Sequence, residues 1–162
     1  MSAKFNFSLH RSAWLLALLI ITSALPAHAQ NELDAPFHYE LTEDGSGYII
    51  SPIQDLRYDN VLFVPATRVS DGLPIVGIKG FSYNNYILAI IFEEGSNLKY
   101  IGPGCFQGCT GIEFIQSLPE SVESFGDYAF SGCSRLEDVP LNSNLKYIGI
   151  SCFEGCTSIR SI

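Results

Sequence analysis

Self-similarity at a fixed period constrains this chain more than any other feature. Three segments superimpose without gaps: Ile101-GPGCFQGCTGIEFI, Phe125-GDYAFSGCSRLEDV and Ile148-GISCFEGCTSIRSI. A degenerate copy precedes them, Val76-GIKGFSYNNYILAI, so the starts fall near 76, 101, 125 and 148. Each copy has an aliphatic residue or Phe, then Gly, two variable residues, a small residue and Phe. The strict copies continue x-Gly-Cys-x-x-aliphatic-x-x-aliphatic. A unit this short cannot bury its own apolar face, so it must stack on its neighbours.

The period assigns a role to each position. Leu136-x-x-Val139-x-Leu141 has the spacing of a short strand, with counterparts at Ile87-x-x-Ile90-x-Phe92, Ile112-x-x-Ile115 and Ile159-x-x-Ile162. Stacked at about 4.8 Å, such strands pair into a parallel sheet. The aliphatics Leu98 and Ile101, Val122 and Phe125, and Leu145 and Ile148 turn back into the same core. Gly77, Gly102, Gly126 and Gly149 are expected to permit a tight or positive-φ turn. Phe81, Phe106, Phe130 and Phe153 are expected to stack as an aromatic ladder. The Cys-Phe-x-Gly-Cys segment suits a short helix or 3₁₀ turn, ended by Gly108, Gly132 and Gly155.

These residues resemble the BspA-like class of leucine-rich repeats of bacterial surface and secreted proteins. Phe125-Gly-Asp-Tyr-Ala-Phe-Ser-Gly-Cys133 carries the resemblance most closely. It is specific over 101–162 and recognisable from about residue 60, in VLFVPATRVSDGLPIVGIKGF. The fold it implies is an α/β leucine-rich-repeat solenoid. Short parallel β-strands line one face, short helical or 3₁₀ turns the other, and an N-terminal β cap closes one end. The function it implies is protein or matrix binding and adhesion, without catalysis.

The first 29 residues stand apart. Lys4 and Arg11 form a basic leader, Ala13 to Ile21 an apolar run, and Ala27-His28-Ala29 a cleavage signature, together reading as a secretory signal peptide. That run falls short of the ~20 residues a membrane-spanning helix needs. Without residues 1–29 the chain has 133 residues, with 7 Lys+Arg against 17 Asp+Glu, and its charge moves from −8 to −10. An acidic chain with no basic cluster is a poor match for nucleic acid or an anionic membrane. Residues 30–75 read as the N-terminal β cap and lead-in coil. Phe37-His-Tyr39-Glu-Leu41 and Tyr48-Ile-Ile50 form a hairpin around Asp44-Gly45, and Val61–Val64 and Leu73–Val76 add short strands. Residues 76–162 hold the repeats. No polar cap follows the last one, and an uncapped edge invites another chain to pair.

Five cysteines fall in two columns: Cys105 and Cys152 in the slot of Gly80 and Ala129, and Cys109, Cys133 and Cys156 in the other. One reading is packed, buried thiols. The other is disulfides, within a coil (Cys105–Cys109, Cys152–Cys156) or between coils (Cys109–Cys133, Cys133–Cys156), which export permits. The two C-x-x-x-C pairs lie two coils, at least ~10 Å, apart, too far to share a zinc ion. No metal or cofactor is expected.

Catalysis has little support. His38 is the one histidine after residue 29, and it lies in an alternating strand with no nucleophile in its pattern. Glu93-Glu94 and Glu137-Asp138 are strand neighbours that point to opposite faces. GPGCFQG has no Lys-Ser/Thr after it, so it is no phosphate loop.

Binding is the better expectation. The third and fifth strand positions face outward on the concave sheet: Ala89 and Ile91, Phe114 and Gln116, Asp138 and Pro140, then Ser161. Ala89, Ile91 and Phe114 form an apolar patch with Glu113 and Asp138 beside it. The competing reading is that the cap folds over this patch, or that a register slip makes these residues core. The expected function is an exported, non-enzymatic protein that binds a protein or surface ligand, from the periplasm, the cell surface or the medium. The alternative is an assembly element, or part of a longer repeat protein, that associates through its open C-terminal edge.

Overall fold

The computed structural model describes residues 37–53 and 60–161. The expected signal segment, the start of the expected cap, the link at 54–59 and Ile162 lie outside the described residues.

Nine strands form two sheets. They are β1 (Phe37–Leu41), β2 (Tyr48–Pro52), β3 (Asn60–Val64), β4 (Ile75–Ile78), β5 (Ile87–Phe92), β6 (Tyr100–Ile101), β7 (Phe114–Ile115), β8 (Ser124–Phe125) and β9 (Tyr147–Ile148). The larger sheet has the order β1-β2-β4-β6-β8-β9 and the smaller one β3-β5-β7. From β2 to β8 successive strands alternate between the sheets, so each coil adds to both, and every strand pairing between coils is parallel. An isolated parallel bridge, Asp138 to Ser161, carries the smaller sheet's pattern onward.

The β1–β2 hairpin is antiparallel, with Phe37 opposite Pro52 and Leu41 opposite Tyr48. Asp44 organises its turn by accepting from the Thr42 hydroxyl at 2.7 Å and from the Ser46 amide at 3.0 Å. The other edge of β2 already pairs in parallel with β4, and β3 does the same with β5. The first coil of the stack is therefore β2 with β3, one period upstream of Val76, and β1 alone covers the end of the larger sheet.

One apolar cluster runs the length of the stack and draws on both sheets: Ile50, Ile78, Ile101 and Phe125 from one, Leu62, Ile90 and Ile115 from the other. Phe81, Phe106, Phe130 and Phe153 stack ring on ring within it. Centroid separations are 5.7, 5.4 and 5.6 Å, and interplanar angles are 26°, 18° and 6°. No polar or charged residue among those described is fully buried.

The expected helical or 3₁₀ face is absent: among the described residues there is no helix of any kind. The hydrogen bonds give the reason. Cys105, Gln107 and Cys109 donate their amides within their own coil, to Gly102, Gly104 and Phe106 three residues back. The intervening amides of Gly104, Phe106 and Gly108 donate instead to Asp127, Ala129 and Ser131 of the next coil, at 2.7–2.8 Å. A helix would need every amide to bond along its own chain. Gly104 and Gly108, at φ of 57° and 70°, turn alternate peptides outward, giving stacked turns in place of a helix. Since no helix is present, none is long and apolar enough to cross a membrane among the described residues.

The glycines after each returning aliphatic also differ from expectation. None of Gly77, Gly102, Gly126 and Gly149 has a positive φ. Their role is close approach: a Cβ on Gly149 would lie 2.3 Å from the Asp127 nitrogen of the preceding coil.

Candidate binding face

Membership of the core cluster alternates over Val61–Val64 and over Ala89–Phe92. Leu62, Val64, Ile90, Phe92 and Ile115 belong to the core cluster, while Val61, Phe63, Ala89, Ile91 and Phe114 do not. The second set therefore lies on the face turned away from the core. The register places Val61 beside Ala89, Phe63 beside Ile91, and Ala89 beside Phe114.

Ala89 is buried, at 8% exposure; Ile91 is half-buried and Phe114 is 36% exposed. Gln116, on the same face, is half-buried. Its side-chain carbonyl oxygen is fully enclosed with no hydrogen-bond partner among the described residues. Asp138 is exposed and accepts a hydrogen bond from the Ser161 hydroxyl. Pro140 is half-buried on the far margin. Glu113 is paired with Arg135, and Glu137 with Arg160 at 3.4 Å.

Sequence reasoning missed Val61 and Phe63, which add a third apolar row. The signal was available: one repeat period upstream of Ile87 falls on VLFV, whose alternation matches β5. From sequence the segment reads as cap because it lacks the Gly and Phe landmarks of the later coils.

The cysteine columns are built as follows. Cys109, Cys133 and Cys156 each donate their thiol to the carbonyl of the ladder Phe one coil earlier. The acceptors are Phe81, Phe106 and Phe130, at 3.0, 3.2 and 3.1 Å. Cys105 and Cys152 are buried beside the ladder, in the slot that Ala129 also fills. All five are thiols in this structure. Burial pushes Cys109 and Cys152 up to about 11 and Cys105 higher still, as expected of thiols that cannot ionise without water.

Residues weighed for catalysis are dispersed. His38 is exposed on β1, at the edge of the larger sheet. The Glu93 carboxylate accepts the Ala66 amide at 2.6 Å, and Glu137 and Asp138 turn to different partners. Among the described residues no three His, Cys, Asp or Glu side chains gather closely enough to hold a metal ion.

Comparison with known proteins agrees with this architecture. The BspA type leucine rich repeat region matches residues 65–162, in six copies. The chain superposes on the T. pallidum leucine-rich repeat protein TpLRR with a TM-score of 0.61 at 24% identity, covering 83% of this chain and 68% of that one. A leucine-rich repeat protein from Bacteroides capillosus gives 0.59 at 18% identity, covering 70% and 83%. One from Bacteroides ovatus gives 0.62 at 26% identity, covering 74% of this chain and 32% of its own length. No curated protein matches the chain in sequence.

Proposed function

Because the chain belongs to the BspA-type leucine-rich repeat family, we propose that it is a non-enzymatic binding protein. It is exported by its amino-terminal signal and engages a protein or surface ligand through the outward face of β3, β5 and β7. The observation that carries this reading is the run of apolar side chains across three coils: Val61 and Phe63, Ile91 and Phe114, flanking a buried Ala89. Contiguous apolar surface of this kind marks interaction sites, and aromatic residues dominate the energetics of such contacts. The acidic margin and the absence of a basic cluster favour a protein over nucleic acid.

Affinity capture from culture or host extracts, repeated with Phe114→Ala and Ile91→Ala, tests the face. The partner captured by the wild type should be lost or weakened roughly tenfold or more with either variant, as for an interface anchor. Undiminished binding by both would reject this site.

A second reading, assembly through the C-terminal edge, has its own observation. The last described coil leaves Tyr147 53%, Ile148 43% and Ile150 68% exposed. Light scattering coupled to size exclusion distinguishes the two: a monodisperse monomer across the micromolar range argues against assembly and leaves the binding face intact as a hypothesis.

A further inference from the structure

We propose that Cys133 and Cys156 form a peroxide-sensitive thiol pair that closes to a disulfide between the last two described coils. The two side chains occupy the same slot in successive coils, each donating its thiol to the carbonyl of the ladder Phe one coil earlier. The Phe130 carbonyl ties them further. It accepts the Cys133 amide of its own coil at 3.1 Å and the Cys156 thiol of the next coil at 3.1 Å. The ladder rings beside them, Phe130 and Phe153, are 5.6 Å apart. The main chains pair directly, Phe130 N–H to the Cys152 carbonyl at 2.9 Å and Gly132 N–H to the Glu154 carbonyl at 2.6 Å. The ~4.8 Å spacing of paired chains falls inside the ~4.4–6.8 Å window of Cα separations that a disulfide spans. Gly132 and Gly155, which precede the two cysteines, make the same turn in the two coils, at φ of 76° and 75°. A Cβ on Gly155 would sit 3.5 Å from the Gly132 Cα.

Access selects this pair from the others. Cys105, Cys109 and Cys133 are wholly buried and Cys152 nearly so, whereas Cys156 is half-buried. When Cys156 ionises, the Cys133 thiol can turn from the Phe106 carbonyl to donate to the thiolate, which holds Cys156 below the usual thiol range and pushes Cys133 up. Cys156 is thus the thiol that an oxidant can reach and that ionises most readily. Cys152 lies four residues before Cys156 on the same coil, whereas Cys133 shares the slot of Cys156 in the neighbouring coil.

The chemistry closes with hydrogen peroxide as oxidant. The Cys156 thiolate attacks one peroxide oxygen and the O–O bond breaks. With the thiol proton taken by the departing oxygen, this yields Cys156 sulfenic acid and one water. Cys133 sulfur then attacks the Cys156 sulfur. The new S–S bond forms as the S–O bond breaks, and the hydroxyl leaves with the Cys133 proton as a second water. Two thiols are oxidised and one peroxide is reduced. This proposal stands independently of the binding face.

Titration of the folded chain with hydrogen peroxide, followed by thiol counting and peptide mass mapping, tests it. The expected result is loss of two of the five thiols and a cross-linked peptide pair containing Cys133 and Cys156. Cys156→Ser should abolish the cross-link, and Cys133→Ala should leave a sulfenic acid at Cys156 that dimedone traps. Mapping of the wild type decides the matter even where a variant fails to fold. Five surviving thiols, a Cys152–Cys156 bridge, or disulfides formed only between molecules would each overturn the proposal.

Discussion

A Cβ placed on Gly126 would lie 2.4 Å from the backbone nitrogen of Pro103, in the preceding coil. The atom it meets is main chain, so no side chain can swing aside to relieve it. Gly126→Ala should therefore destabilise the fold by about 1–3 kcal/mol, the usual cost of overpacking. Chemical denaturation measures this, and a variant equal to wild type would show that the coils can spread apart there.

The aromatic ladder predicts a gradient of costs. Phe130 is fully enclosed between Phe106 and Phe153, so Phe130→Ala should cost about 3–5 kcal/mol. Phe153 stacks on Phe130 but is only partly buried, so its truncation should cost less. Equal losses at the two positions would count against a ladder that depends on neighbours on both sides.

The small-residue slot makes a volume prediction. Ala129 is wholly buried where Cys105 and Cys152 stand in adjacent coils. Ala129→Cys should change stability by less than about 1.5 kcal/mol, as a near-conservative core change. Ala129→Leu should cost more, about 1–3 kcal/mol of strain. Comparing the two unfolding midpoints tests the slot directly.

Acid should loosen the β1–β2 turn before the core. The Thr42 hydroxyl, then the Ser46 hydroxyl and amide, hold the Asp44 carboxyl down from its ordinary 3.8 to about 2. A carboxylate lowered on folding contributes stability above its unfolded value and loses it as pH falls through its folded one. The turn should therefore hold above pH 3.8 and weaken as pH approaches about 2. NMR titration of the Asp44 carboxyl checks this; a midpoint near 4 would remove the turn bonds from the account.

Truncating the outward face should separate binding from stability. Phe114 lies outside the core cluster and is 36% exposed. Phe114→Ala should shift stability by no more than about 1 kcal/mol while binding falls. A large loss of stability would make Phe114 a packing residue.

The cysteine, phenylalanine and strand columns were legible because they repeat. A residue that recurs every 23 to 25 positions occupies one slot, and adjacent slots must touch in a stack. The first coil was harder to see, since β2 and β3 lack the Gly and Phe landmarks and share strand alternation with a cap hairpin.

The sequence by itself determined the solenoid, its period, the Phe ladder and the requirement for small residues between coils. Only the tertiary structure decided how the amides are shared. A spacing compatible with a helical turn cannot reveal that alternate N–H groups of Gly104, Phe106 and Gly108 bond to the next coil. Nor can it reveal that Gly126 is needed for backbone contact with Pro103 rather than for its φ. Both depend on a neighbouring coil, 20 or more residues away, arriving within hydrogen-bonding distance, and local pattern carries no record of that approach.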